Sequence, residues 1–135
     1  MNLIFLGPPG VGKGTQATLI SNKYNILHLS TGDILRLEIS KKTEIGNFAK
    51  SFIDRGELVP DGTLLKMMNN RLKQDDAQYG YLLDGFPRTI EQAKGLDLIL
   101  KKIDHKIECV ISLSADENEL VSRLIKRGLT SGRSD

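Results

Sequence analysis

The sequence predicts an α/β fold in which helices flank a mostly parallel sheet. Short apolar runs of strand length alternate with segments whose apolar residues recur at helical spacing. A turn rich in glycine and proline, Gly7-Pro8-Pro9-Gly10, follows the first such run and leads into a helix. The length, 135 residues, suits one domain with one sizeable core.

Taken in order, Leu3–Leu6 reads as a short buried strand and Lys13–Tyr24 as a helix. Ile26–Leu29 is a second, weaker strand. Thr31–Ser40 is helical, opened by Ser30 with Asp33 three residues on, a capping-box spacing. Glu44–Asp54 has the clearest helical period, because Ile45, Phe48, Ala49, Phe52 and Ile53 fall on one face. Gly56 is placed to stop it. Another helix follows Pro60-Asp61-Gly62, with Leu64, Leu65, Met68 and Leu72 on one side. Tyr81–Asp84 is a buried strand ending in an acid. Ile90–Leu100 is helical and Ile107–Leu113 is a strand. Ser114-Ala115-Asp116-Glu117 opens a last helix carrying Leu120, Val121, Leu124 and Ile125. Thr31–Val59 holds two helices and no strand, which reads as a helical hairpin inserted beside the sheet.

Hydrophobic residues make up 39% and charged residues 27%, which disfavours disorder, collagen-like repetition and a disulfide scaffold. The net charge of +2 does not suggest binding to nucleic acid or a membrane surface. A single cysteine, Cys109, excludes an intrachain disulfide and a cysteine-cluster metal site. No apolar run approaches the roughly 20 residues that span a bilayer. The N-terminus lacks a basic leader. A soluble, cytoplasmic protein is expected.

The strongest signal is Gly7-Pro8-Pro9-Gly10-Val11-Gly12-Lys13-Gly14-Thr15, set between a strand and a helix as a P-loop requires. Glycines let successive backbone N–H groups turn inward toward phosphate oxygens. The helix N-terminus adds partial positive charge, and Lys13 supplies a mobile one. A Gly-rich turn without a ligand is the plain alternative. Gly14 stands where the usual pattern has the Mg²⁺-binding Ser or Thr. With that glycine, the run GPPGVGKGTQ resembles the P-loop of adenylate kinases and their close nucleoside monophosphate kinase relatives. The resemblance implies a P-loop NTPase-like three-layer fold, and ATP binding by Gly10, Val11, Gly12, Lys13, Gly14 and Thr15.

Other segments extend the resemblance. Ser30-Thr31-Gly32-Asp33-Ile34-Leu35-Arg36, by itself an ordinary helix start, resembles the family's STGDxLR motif. There, Thr31 and Gly32 belong to the AMP site, with Thr31 at the adenine, and Arg36 holds the AMP phosphate. Leu82-Leu83-Asp84-Gly85-Phe86-Pro87-Arg88-Thr89, by itself a strand and turn, carries the family's DGFPRT. An acid at the carboxyl end of a central strand sits where open α/β sheets bind ligands. Asp84, with Asp33, would hold the water shell of Mg²⁺. Gly85, Phe86, Pro87 and Arg88 would line the AMP site, and the amide of Gln92 would meet the adenine edge. Glu57, Leu58 and Val59 match the stretch whose backbone lines the base. Thr31 and Thr89 favour AMP over pyrimidine monophosphates, since UMP/CMP kinases typically carry Ala and Asn there.

Arg123 and Arg127 share one helix face. Without a ligand, Glu119 and the helix C-terminus would account for their charges. The resemblance places Arg123 on the ATP base, Arg127 on the ATP phosphates, and Arg133 on the transferring phosphate. Thr130–Asp135 resembles the start of a short lid, without the zinc-binding cysteines of longer lids, so no zinc is expected.

Family members continue with a final strand and a C-terminal helix. The resemblance thus implies a single kinase core over 1–135 cut within its lid, with an AMP-binding insertion at 30–59 and a lid beginning at 126–135. Its implied function is reversible Mg²⁺-dependent phosphoryl transfer from ATP to AMP, giving two ADP. Lys13, Arg36, Arg88, Arg127 and Arg133 would carry the catalysis. Small nucleotides (ATP, AMP and ADP) would be its partners, with no nucleic acid and no membrane, in a chain that is a monomer at full length. A UMP/CMP-type kinase and a nucleotide-binding fragment with little catalysis are the alternatives. His28 and Cys109 read as structural, Cys109 as a buried hydrophobe, and His105 as a surface loop residue.

Overall fold

A computed structural model of the chain describes residues 1–8 and 12–113. Four strands, β1 (Asn2–Leu6), β2 (Leu27–Ser30), β3 (Tyr81–Asp84) and β4 (Cys109–Ser112), form one parallel sheet in the order β2-β3-β1-β4. The helices are α1 (Lys13–Tyr24), α2 (Thr31–Ser40), α3 (Glu44–Asp54), α4 (Asp61–Leu72) and α5 (Ile90–Ile103). All five lie where the helical periods put them.

Strand alternation divides the core between the two faces of the sheet. Leu3, Phe5 and Leu82 point to one face, where Ala17 and Ile20 of α1 cover them. Ile4, Leu29, Tyr81 and Leu83 point to the other, against Met67, Met68 and Leu72 of α4 and Leu96 and Leu100 of α5. The result is the expected three layers. β3 is buried at every position because it has a strand on each side and helices on both faces.

The hairpin of α2 and α3 stands beside the sheet. Ser30 caps α2 by accepting the Asp33 N–H, and Thr43 caps α3 by accepting the Gly46 N–H. Arg55 and then Gly56, at φ +72°, end α3.

Differences from the sequence reading are local. β2 starts one residue later and takes in Ser30, which is in register with Asp84. β4 is shorter because only Cys109–Ser112 pair with Leu3–Leu6 of β1. α5 runs on to Ile103, keeping the apolar period of Leu96, Ile99, Leu100 and Ile103, and stops at Asp104 at φ +57°. A 3-10 turn at Asp75–Tyr79, which has no periodic signature, precedes β3.

Two expectations are corrected. Cys109 is exposed rather than buried; among the described residues β4 pairs with β1 alone. His105 is a half-buried bridge as well as a loop residue. Its Nδ1 lies 2.9 Å from the Tyr81 hydroxyl and its Nε2 2.9 Å from Gln78 Oε1. Burial pushes the Tyr81 pKa well up, and Glu108 adds to the shift, so the phenol stays neutral. The expected helix from Asp116 and the lid from 126 lie outside the described residues.

Candidate active site

Parallel strands deliver their carboxyl ends to one edge of the sheet. Phe5 and Ser30 both register with Asp84, so the turn after β1, the start of α2 and the turn after β3 become neighbours. They surround a cavity of about 850 Å³, large enough for a nucleotide-sized ligand.

Lys13, the first residue of α1, enters from one side. Gly12 before it has φ +90°, a left-handed conformation that a side chain would strain. Gly14 and Thr15 line the cavity beside it. Lys13 Nζ pairs with Asp84 Oδ1, and His28 Nε2 lies 2.8 Å from Asp84 Oδ2. Burial lowers the His28 pKa; Asp33 partly opposes this and Lys13 reinforces it. His28 is therefore a neutral imidazole donating Nε2–H to the carboxylate. Asp84 itself is buried, so both partners help to offset the cost of burying its charge.

Two arginines face the same space. Arg36, on α2, pairs with Asp33 one turn back and lies over Gly32, where an added Cβ would come 3.2 Å from Nη1. Arg88, ahead of α5, lies over Gly85 in the same way at 3.2 Å. Gly85 also has φ +83°. Among the described residues Arg88 has no ion-pair partner. Thr31 Oγ1 is buried at the cavity without a hydrogen-bond partner among the described residues. An unsatisfied buried hydroxyl and two guanidinium groups on one cavity suit a ligand with polar atoms and negative charge.

Gln92 is 5% exposed and lines the cavity. It does not sit one helical turn beyond Arg88, since α5 begins only at Ile90. Instead its Oε1 accepts the Arg88 backbone N–H at 2.7 Å, while Thr89 caps the helix through the Gln92 N–H. Its Nε2 donates to Asp61 Oδ1 at 2.8 Å.

Leu58, Val59 and Phe86 line the same cavity. Pro87 borders an adjoining one of about 400 Å³. Glu57 lines neither and pairs with Arg55 at 3.1 Å. Gly10, Val11, Arg123, Arg127 and Arg133 lie outside the described residues. His28 and Asp61 were not singled out as site residues. The parallel alternation of β2 could have flagged His28; Asp61 looks like any acid in a helix's first turn.

Among the described residues no cluster of His, Cys, Asp or Glu forms a metal cage. That donor set still fits Mg²⁺, which is held by one or two carboxylates together with water and substrate phosphates. Asp84 keeps unused lone pairs for such waters, and Asp33 is largely exposed.

A parallel sheet with a lysine-bearing helix after its first strand and a strand-end aspartate opposite defines a P-loop NTPase-like nucleotide-binding protein. A family model described as adenylate kinase matches residues 5–134. The chain belongs to the adenylate kinase family.

It is 48% identical over its whole length to an adenylate kinase of Flavobacterium psychrophilum, covering 71% of that protein. It is 50% identical to one of Leptospira biflexa, with 98% of this chain matching 72% of that protein. An adenylate kinase of Archaeoglobus fulgidus is 52% identical over 94% of this chain and 58% of its own length. The chain thus spans from 58% to 72% of these relatives. Family and relatives support adenylate kinase function, a phosphotransferase activity, with use of Mg²⁺ and ATP. Among the described residues no helix is long and apolar enough to cross a membrane.

Proposed function

We propose that this chain transfers the terminal phosphoryl group of ATP directly to AMP, reversibly, giving two ADP. One observation carries the reading: Lys13, Asp84, Arg36, Arg88, Thr31 and Gln92 all line one cavity. An ammonium and two guanidinium groups on one cavity suit two phosphorylated ligands bound side by side.

Lys13 and the amides at the start of α1 hold the ATP phosphates. Phosphate oxygens draw Lys13 from Asp84, and the released carboxylate would then be free to hold the water shell of Mg²⁺, as would Asp33. Bound Mg²⁺ would neutralise charge on the outer phosphates. Arg36 and Arg88 grip the AMP phosphate, Arg36 exchanging Asp33 for it. Thr31, Gly32, Leu58, Val59, Gly85 and Phe86 line the base and sugar, and Gln92 reads the base edge. Arg123, Arg127 and Arg133 complete the set on the strength of the motif match. Transfer is in line, without a covalent enzyme intermediate, so the protein contributes positioning and charge stabilisation. A monomer acting in the cytoplasm fits this reading.

Incubation with Mg²⁺, ATP and AMP while following ADP tests it. Faster turnover of CMP or UMP would favour a pyrimidine nucleotide kinase. Nucleotide binding without ADP formation would reduce the chain to a binding module.

A further inference from the structure

The geometry points to Asp61 as the residue that fixes which way round Gln92 presents its amide, and so separates 6-aminopurine from 6-oxopurine monophosphates. This rests on the base-reading role of Gln92 proposed above.

A glutamine amide has two N–H donors and two acceptor lone pairs. Here one of each is committed. Gln92 Oε1 accepts the Arg88 N–H at 2.7 Å, and Gln92 Nε2 donates to Asp61 Oδ1 at 2.8 Å. Asp61 is itself held, because its Oδ2 accepts the Thr89 hydroxyl at 3.3 Å. Thr89 in turn caps α5 by accepting the Gln92 N–H at 3.1 Å. The loop closes on itself through the first turn of α4 and the first turn of α5.

Rotating the amide by half a turn would set its NH₂ against the Arg88 N–H and its oxygen against the Asp61 carboxylate. The first meeting is donor on donor and the second acceptor on acceptor. Both are disfavoured at a side chain as buried as that of Gln92. One N–H and one lone pair remain, in a fixed order. The edge of a 6-aminopurine offers a ring-nitrogen acceptor beside an exocyclic donor. A 6-oxopurine offers a ring N–H donor beside a carbonyl acceptor, the reverse order. A fixed amide accepts one order and opposes the other. A freely rotating amide would accept both.

Asp61 is thus a positioning residue acting through Gln92. Calorimetric titration of the full chain with AMP and with inosine monophosphate tests it, comparing wild type, Asp61→Ala and Asp61→Asn. Wild type should prefer AMP. Asp61→Ala should shrink the AMP-to-inosine monophosphate affinity ratio by about tenfold, the scale of one well-placed hydrogen bond to a charged or buried group. Asp61→Asn keeps the shape but can offer either an oxygen or an NH₂, so it should shrink the ratio in the same direction. A purely structural role would lower the melting temperature and leave the ratio alone. An unchanged ratio in folded Asp61→Ala overturns the inference; if that variant does not fold, an unchanged ratio in Asp61→Asn does so. A wild type that binds neither nucleotide overturns the reading of the site, and this inference with it.

Discussion

His28 Nε2 lies 2.8 Å from Asp84 Oδ2, where adjacent strands β2 and β3 bring their carboxyl ends to the cavity. The other oxygen of Asp84 pairs with Lys13. The strand-end carboxylate is therefore gripped from both sides, by a neutral imidazole and by an ammonium. Only the ammonium sits on a long flexible stem, so in the proposed reaction it is Lys13 that would leave for a phosphate, with His28 keeping its contact to Asp84.

Lys13→Ala should accordingly lower kcat for ADP formation by about 10²–10³-fold, the range seen when one stabilising group is removed from a charged transition state. A coupled ADP assay measures it. A loss below tenfold would mean that Lys13 chiefly neutralises Asp84.

The two arginines should separate by substrate. Arg88→Ala should raise the KM for AMP by about 10–100-fold, in line with losing a hydrogen bond to a charged group. The KM for ATP should move far less. Arg88→Lys should recover only part of the loss, because an ammonium lacks the planar fork. Steady-state kinetics with each substrate varied in turn would check it; equal effects on both KM values would contradict the assignment.

The crossing of α2 and α3 depends on Gly46. A Cβ there would overlap the Glu38 carbonyl group and come 2.7 Å from the Ile39 nitrogen, all of it backbone. Backbone cannot move aside as a side-chain tip can, so Gly46→Ala must push the helices apart. The expected cost is about 1–3 kcal/mol, as for overpacking a close-packed contact. Urea unfolding measures it, and an unchanged midpoint would show that the hairpin opens freely.

The sheet and its helices were legible because each left a periodic trace. Glu44–Asp54 repeats its apolar residues at helical spacing, and Tyr81–Asp84 is short, apolar and closed by an acid. The turn that presents Lys13 was legible because residue type and local geometry coincide there: Gly12 is left-handed, and Lys13 follows it as the first residue of α1. What stayed hidden came from tertiary pairing. Nothing in the order of residues joins Asp61 to Gln92 or His28 to Asp84, which are 31 and 56 positions apart. The exposure of Cys109 was hidden too, because strand order, which puts β4 last among the described strands, is set by tertiary pairing. The 3-10 turn at Asp75–Tyr79 carries no period to read.

That same turn holds the last expected outcome. Arg71, in the final turn of α4, forms a two-pronged pair with Asp76, at 2.7 and 2.9 Å, and also reaches Gln74 Oε1 at 2.9 Å. The hydrogen bond from Arg71 holds the Asp76 pKa below its ordinary 3.8. A carboxylate with a depressed folded-state pKa stabilises the fold above its unfolded value. The contribution disappears as pH falls below 3.8 and through the folded value. Asp76→Asn should therefore melt at a lower temperature than wild type at neutral pH. The gap between them should close as the pH is lowered through that window. The pair is at the surface, so the gap should be small and should narrow with added salt. Melting curves of both proteins across the acid range decide it: a gap that persists below the window would mean that Asp76 acts through shape and not through charge.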